Sequence, residues 1–127
     1  MTFTCDHIHL RSLDPEKAAQ FYVEMLGATL RSRSFHGEAL RVVIDLGGVQ
    51  LFIEQVPPQT PMPPLPPFFG IEHIGLRVEN LNAVVADLRS KGARFVVEPN
   101  SPRPGLKLAF IEGPDGVRIE LLERASL

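Results

Sequence analysis

Two histidines and one glutamate are the residues of this chain best suited to metal chemistry. His7 and His73 lie at matching points of two similar stretches, because residues 5–11 (Cys-Asp-His-Ile-His-Leu-Arg) return as residues 71–77 (Ile-Glu-His-Ile-Gly-Leu-Arg). Neutral imidazole is the commonest biological metal ligand. Glu120 is the best further donor, since it stands among apolar residues, where an unpaired buried carboxylate would be costly. The three would form a two-histidine, one-carboxylate site with open coordination positions.

These residues belong to a tandem repeat that spans most of the chain. The offset is 66 residues at the two histidines and 65 at two Gly-Ala pairs, residues 27–28 and 92–93. Residues 48–52 likewise return as residues 116–120. A period of about 65 residues is too long for a solenoid unit and is typical of a duplicated half-domain. Duplication therefore places both histidines where pseudo-symmetry can bring them face to face.

The first half carries the signals of one strand, one helix and three further strands. Alternation over residues 5–11 predicts a strand that presents three polar side chains on one face, namely His7, His9 and Arg11. Asp14 is a suitable N-cap for the helix that follows, and Gly27 supplies its C-terminal stop. The three remaining strands are predicted at residues 28–35, 40–46 and 49–55.

The second half repeats the plan after a proline-rich connector. Pro57 to Pro67 hold seven of the twelve prolines and predict an extended, stiff segment. The later elements are predicted as a strand at 71–78, a helix at 81–91, and strands at 93–98, 106–112 and 117–123. We expect a single domain (1–127), built from modules at residues 4–56 and 70–125 joined by a linker at 57–69. The predicted fold is α+β, with two tandem βαβββ modules forming a cupped mixed β-sheet and the helices on the outside.

Composition excludes several classes of protein. The chain of 127 residues is 44% apolar and carries a net charge of −2, so it has neither the signature of disorder nor the basic character of a nucleic-acid-binding protein. Its single cysteine excludes an intrachain disulfide. No apolar run approaches the roughly 20 residues of a membrane helix, and the N-terminus lacks the pattern of a secretion signal. We therefore expect a cytoplasmic protein.

The motifs resemble those of the vicinal oxygen chelate superfamily, which includes glyoxalase I, methylmalonyl-CoA epimerase, extradiol dioxygenases and bleomycin resistance proteins. The resemblance covers nearly the whole chain, and its most specific part is residues 109–121 (Ala-Phe-Ile-Glu-Gly-Pro-Asp-Gly-Val-Arg-Ile-Glu-Leu). It implies an open cup around one metal, with His7, His73 and Glu120 at the family's ligand positions. It also implies a homodimer.

Within this superfamily, glyoxalase I and the epimerases take a fourth ligand, usually Glu, from the last strand of the first module, whereas three ligands with open sites are the pattern of the extradiol dioxygenases. Phe52 follows Gly48 by four residues, as Glu120 follows Gly116, so Phe52 occupies the position of that fourth ligand. Gln50 and Glu54 lie two residues to either side of it, on the same strand face, and β-bulges would be needed to bring one of them into register. Whether either supplies a fourth ligand stays open at this point.

Other polar residues could contact a substrate. His9 shares the His7 face, and Arg11 corresponds to an arginine that helps glyoxalase I to hold a glutathione carboxylate. With Gln50 and Phe52, they form the predicted substrate-binding set. A packed or surface histidine and a structural ion pair are the competing interpretations of His9 and Arg11.

Three functions compete at this stage. The first is a lyase or isomerase that uses one divalent ion (Fe, Ni, Zn, Mn or Co) to stabilise an enediolate of a small oxygen-chelating substrate, with Glu120 or Glu54 moving the proton. The second is an Fe(II)-dependent extradiol-type dioxygenase, which would use the position that Phe52 leaves open. The third is a metal-free drug-binding protein, as in bleomycin resistance.

Overall fold

The computed structural model describes residues 1–125, which divide into two compact units. The first unit comprises residues 1–62 and the second begins at Pro63. The division falls inside the proline-rich stretch between Pro57 and Pro67. No helix among residues 1–125 is long and apolar enough to cross a membrane.

The first unit is a four-stranded mixed sheet with one helix. Its elements are β1 (His7–Ser12), α1 (Pro15–Leu26), β2 (Thr29–His36), β3 (Ala39–Leu46) and β4 (Val49–Gln55). The strand order is β1-β4-β3-β2, with β1 parallel to β4 and the other pairs antiparallel. The order of these elements along the chain is the βαβββ order predicted from the sequence.

Helix α1 begins and ends at the residues that local chemistry favours. The Asp14 carboxylate accepts a hydrogen bond from the backbone N–H of Lys17 at 3.1 Å, which satisfies one free donor of the first turn. Pro15 follows as the first helical residue, where its missing N–H costs nothing. Gly27 ends the helix with φ of 72°, a left-handed conformation that glycine adopts without steric cost.

Helix α1 packs on one face of the first sheet, because alternate residues of β3 and β4 are apolar and point to it. The core consists of side chains that are almost completely buried, including Tyr22, Val42, Ile44, Leu51 and Ile53. The opposite face of β1 and β4 carries the polar and aromatic side chains, since successive residues of a strand point to opposite sides.

The second unit repeats this topology. Its elements are β5 (Ile74–Arg77), α2 (Leu81–Ser90), β6 (Phe95–Arg103), β7 (Leu106–Glu112) and β8 (Arg118–Arg124). The strand order is β5-β8-β7-β6, with β5 parallel to β8. Apolar side chains at helical spacing in α2 are buried, namely Leu81, Val85 and Leu88. The sequence-based expectation of an α+β fold with tandem βαβββ modules is confirmed.

One predicted element is shorter than expected. The strand predicted at residues 71–78 forms only at Ile74–Arg77, so His73 lies one residue before β5 rather than within it. The physical reason is that its parallel partner β8 begins at Arg118. The turn over residues 113–117 precedes β8, and in it the Gly113 N–H donates to the Val117 carbonyl. The ladder with β5 therefore begins at the pair Ile74 and Ile119.

A second element is longer than expected. Strand β6 runs to Arg103, whereas the prediction ended at residue 98. It contains Pro99 and Pro102, which a central strand would not tolerate because proline has no N–H for the ladder. Strand β6 lies at the sheet edge, and its pairing with β7 contains register shifts, so the prolines fit there.

Candidate metal centre

The second unit brings two of the predicted metal ligands together. His73 Nε2 lies 3.3 Å from Glu120 Oε1, and the two side chains are 32% and 18% exposed, so the pair is accessible but half-shielded. Glu120 lies opposite Gly75 in the β5–β8 ladder. Gly75 has no side chain, so the space beside it is available to the Glu120 carboxylate. A Cβ at position 75 would lie 3.4 Å from Glu120 Oε1.

The other ring nitrogen of His73 is also held. Its Nδ1 contacts the carboxylate of Glu72, the preceding residue. The second carboxylate oxygen of Glu72 accepts a hydrogen bond from the Arg118 guanidinium. Phe110 supports both groups, since its ring meets His73 edge-on at 5.0 Å and lies 4.8 Å from the Arg118 Cζ. The imidazole is thus bordered by a carboxylate at each nitrogen and an aromatic ring at its side.

His7 has a similar contact in the first unit. Its Nδ1 lies 2.7 Å from Asp6 Oδ2, again a carboxylate of the preceding residue. Its ring stacks on Phe52, with centroids 3.9 Å apart and planes only 2° from parallel. This leaves the Nε2 edge of His7 free of a carboxylate within its own unit.

The predicted substrate-binding residues share one face of the first sheet. In the parallel β1–β4 ladder, His7 lies opposite Gln50, His9 opposite Phe52 and Arg11 opposite Glu54. All six side chains point away from α1, because they alternate with apolar residues that are buried or half-buried in both strands. The substrate-binding role of His9, Arg11, Gln50 and Phe52 stays a prediction.

Glu54 is engaged by an arginine that the sequence analysis did not single out. The Arg41 guanidinium lies 2.8 Å from Glu54 Oε1 and donates a second hydrogen bond to the same oxygen at 3.0 Å. The hydrogen bond from Arg41 lowers the pKa of Glu54 below its ordinary value. A weaker base is less suited to proton abstraction. Of the two predicted proton carriers, Glu54 is therefore less favoured than Glu120, and its catalytic role stays a prediction.

His9 has an altered acidity. Partial burial lowers its pKa from the ordinary 6.5, and the nearby Arg41 and Arg11 act in the same direction, whereas Glu54 opposes them. Its ring meets Phe52 edge-on at 6.3 Å. At neutral pH, a neutral His9 can both donate and accept hydrogen bonds, which is compatible with the predicted contact to a substrate.

The donor chemistry of both units fits a divalent cation. Each histidine has a carboxylate at Nδ1, and this arrangement is typical of metal-binding histidines whose Nε2 is the ligand. Neither unit by itself collects three His, Cys, Asp or Glu side chains within residues 1–125, so each offers only part of the predicted set. His73 and Glu120 come from the second unit, and the assignment of His7 as a ligand stays a prediction.

Sequence reasoning missed Asp6, Glu72 and Arg118 as neighbours of the ligands. A signal for the first two was present, since an acidic residue directly precedes each repeated histidine. No comparable signal existed for Arg118, which reaches Glu72 across 46 residues of sequence. Its repeat mate in the first half is Gln50, so the contact is not duplicated.

Comparisons with known proteins identify the family of this chain. The family model of the Glyoxalase/Bleomycin resistance protein/Dioxygenase superfamily matches residues 4–121. The chain is 32% identical to a probable lactoylglutathione lyase from Synechocystis, over 94% of this chain and 95% of that protein. It is 31% identical to the mitochondrial methylmalonyl-CoA epimerase of Homo sapiens, over 91% of this chain and 71% of that protein.

A solved structure extends the similarity to three dimensions. The glyoxalase family protein from Enterococcus faecalis superposes with a TM-score of 0.81 at 27% identity, over 94% of this chain and 97% of that one. The family match, the fold and the near-complete coverage therefore agree. The chain belongs to the Glyoxalase/Bleomycin resistance protein/Dioxygenase superfamily.

Proposed function

We propose that this protein is a divalent-metal-dependent lyase or isomerase of the glyoxalase type, acting on a small substrate with two neighbouring oxygens. The observation that carries the proposal is the His73–Glu120 pair, with Nε2 and Oε1 3.3 Å apart and Nδ1 already engaged by Glu72. This pair presents one nitrogen and one carboxylate oxygen to the same point, as a cation site requires.

In the proposed site, His73 and Glu120 bind the ion, and His7 is the third protein ligand. The proposal for His7 rests on its contact with Asp6 at Nδ1, which matches the contact of Glu72 with His73. When bound, the ion would supply Lewis acidity that makes a C–H bond beside a substrate carbonyl more acidic.

Glu120 is the better of the two predicted proton carriers. Its carboxylate has no arginine partner among the described residues, whereas Glu54 is paired with Arg41 and has a lowered pKa. We assign to a Glu120 oxygen the transfer of a proton between adjacent substrate carbons. Arg11 and His9, exposed on the uncovered face of β1, are proposed to hold polar groups of the substrate.

Metal content tests the proposal directly. The protein would be stripped with a chelator and offered Ni(II), Zn(II), Mn(II), Co(II) and Fe(II) separately, and bound metal would be measured by elemental analysis. We expect about one ion per chain, and loss of that ion in His73→Ala. His36→Ala is the matched control, because His36 is exposed at the end of β2. Equal retention by the His73 variant and the control would contradict the site.

Activity separates the candidate reactions. The loaded protein would be assayed for isomerisation of an adduct of glutathione with a 2-oxoaldehyde and for epimerisation of a methylmalonyl thioester, reactions suggested by the names of the relatives. We expect turnover of at least one substrate of this kind, lost in Glu120→Gln. Turnover that persists without Glu120 would contradict its proposed role.

An Fe(II)-dependent extradiol-type dioxygenase is the second candidate. It is favoured by Phe52, an apolar residue that corresponds in register to Glu120 and supplies no fourth protein ligand. Anaerobic loading with Fe(II), followed by measurement of oxygen uptake over a panel of catechols, distinguishes the two functions. A protein that binds none of the five ions would instead favour the metal-free binding function.

The expected homodimer also belongs to the proposal. It is supported by the resemblance to the superfamily and by the duplicated architecture. Light scattering coupled to gel filtration checks it, and a mass near 14 kDa, that of one chain, would contradict it.

A further inference from the structure

We propose that Glu72, anchored by Arg118, is a positioning residue that fixes His73 with its proton on Nδ1 and keeps the Nε2 lone pair available to a metal ion. The inference deepens the proposed function and rests on it. Glu72 does not touch the proposed ion itself and acts through the imidazole.

The starting point is that His73 lies between two carboxylates. Glu72 contacts Nδ1, and Glu120 Oε1 lies 3.3 Å from Nε2. A neutral imidazole carries one proton, so only one nitrogen can donate while the other keeps its lone pair. If the proton were on Nε2, it would point at Glu120 and leave no nitrogen donor for a cation beside that carboxylate.

The contacts favour the proton on Nδ1. The Glu72 carboxylate forms a hydrogen bond with Nδ1, whereas the 3.3 Å between Nε2 and Glu120 Oε1 lies beyond the usual range of a nitrogen–oxygen hydrogen bond. Arg118 donates a hydrogen bond to the other oxygen of Glu72 and so holds this carboxylate in the position to accept. Arg118 is in turn supported by Phe110, whose ring lies 4.8 Å from its Cζ.

The first unit provides an independent occurrence of the same contact. Asp6 lies 2.7 Å from Nδ1 of His7, although its side chain is shorter than that of Glu72. Two different acidic residues thus reach the same ring nitrogen at matching places of the repeat. A chance surface contact would have no reason to recur at both histidines.

The two halves differ in how the carboxylate is anchored. Gln50 occupies the repeat position of Arg118, and the neutral amide cannot form an ion pair with Asp6. Asp6 is 85% exposed, compared with 39% for Glu72. We infer that His73 is the more firmly oriented of the two histidines and that Arg118 accounts for the difference.

The test compares Glu72→Ala with the parent in two measurements. Imidazole nitrogen chemical shifts of the metal-free protein, recorded above the ordinary histidine pKa of about 6.5, report which nitrogen of His73 carries the proton. Competition with a chromophoric chelator reports the affinity for Zn(II). We expect the proton to move from Nδ1 towards Nε2 and the Zn(II) affinity to fall by about 10–100-fold.

Two further variants guard against a fold defect. Glu72→Asp keeps a carboxylate, and Asp6 shows that an aspartate can reach the Nδ1 of the next residue. This variant should therefore keep most of the Nδ1 protonation and most of the Zn(II) affinity of the parent. Arg118→Gln copies the residue found at position 50 and should lower Zn(II) affinity by less than Glu72→Ala does. Glu79→Ala is the matched control, because Glu79 is an exposed carboxylate just beyond β5.

The outcomes distinguish this inference from the proposed function. If Glu72→Ala keeps the Nδ1 proton and the parent's Zn(II) affinity, the positioning role is wrong while the metal site stands. If Glu72→Asp behaves like Glu72→Ala, the carboxylate contact is not the cause and the inference is again wrong. If the parent protein binds none of the five ions, the proposed function fails, and this inference fails with it.

Discussion

Phe52 and Glu120 occupy corresponding places in the two units. In the parallel β1–β4 ladder Phe52 lies opposite His9, and in the β5–β8 ladder Glu120 lies opposite Gly75, the repeat mate of His9. Each of the two residues also lies next to the histidine of its own unit: Phe52 stacks on His7, and Glu120 approaches Nε2 of His73. Gln50 and Glu54 remain two residues away, with no bulge in the β1–β4 pairing to shift them.

This relationship predicts the effect of a new carboxylate in the first unit. Phe52→Glu places an anionic oxygen donor beside His7, where the second unit has Glu120. We expect tighter retention of Ni(II) or Zn(II) during dialysis against a chelator, because an additional anionic ligand favours a divalent cation. Phe52→Gln is the control of similar shape without the charge. Retention that is unchanged in Phe52→Glu would argue against His7 as a ligand.

Gly75 tests the space around the Glu120 carboxylate. A Cβ at this position would meet Glu120 Oε1 at 3.4 Å, an ordinary contact, so Gly75→Ala should change the free energy of unfolding by no more than about 0.5 kcal/mol. Gly75→Val adds methyl groups beyond that point and should displace the carboxylate from His73. We expect Gly75→Val to release metal while keeping its circular dichroism spectrum. Equal metal content in both variants would contradict this prediction.

The Glu54–Arg41 pair predicts a pH dependence of stability. The pKa of Glu54 lies below its ordinary 4.5 in the folded chain, so its contribution to stability is present above that value and is lost as the pH falls through the lowered folded-state pKa. Glu54→Gln should therefore be less stable than the parent at neutral pH and lose less of its stability on acidification. Urea unfolding at a series of pH values measures the difference.

The exposed Glu38 provides the control for this experiment, since it lies in the turn between β2 and β3. Glu38→Gln should follow the parent across the whole pH range. Parallel curves for Glu54→Gln and the parent would show that the ion pair does not contribute in this way.

Glu123 connects α2 to the strand that carries Glu120. Its carboxylate accepts a hydrogen bond at 2.8 Å from the backbone N–H of Leu81, the first residue of the helix. Glu123→Ala leaves this half-buried donor unsatisfied and should lower the free energy of unfolding by about 1.5–3 kcal/mol. Denaturant unfolding checks the value.

A matched substitution on the surface should cost less. Glu98, whose side chain is 67% exposed, pairs with Arg89, and Glu98→Ala should cost only about 0.2–1 kcal/mol because water screens the pair. If the two variants are destabilised equally, the bond to Leu81 has no special role in holding the helix.

Much of the fold could be predicted because its signals are local. Asp14 and Gly27 mark the ends of α1 through their own backbone preferences, and the alternation of β1 follows from the two-residue period of a strand. The strand ends were harder to predict. Strand β5 is shorter than its apolar pattern suggested because its ladder with β8 begins only at the pair Ile74 and Ile119, and this partner lies more than 40 residues away in sequence.

The candidate site divides in the same way. The sequence alone singled out His7 and His73 as candidate ligands, because repetition marks equivalent positions without any coordinates, and Glu120, because it is a carboxylate among apolar residues. Only the tertiary structure decided that Glu120 meets His73 and that Phe52 stacks on His7. It also decided that Glu54 is paired with Arg41 and that Arg118 anchors Glu72. Such contacts join residues distant in sequence, and they depend on strand register and side-chain direction, which no local pattern specifies.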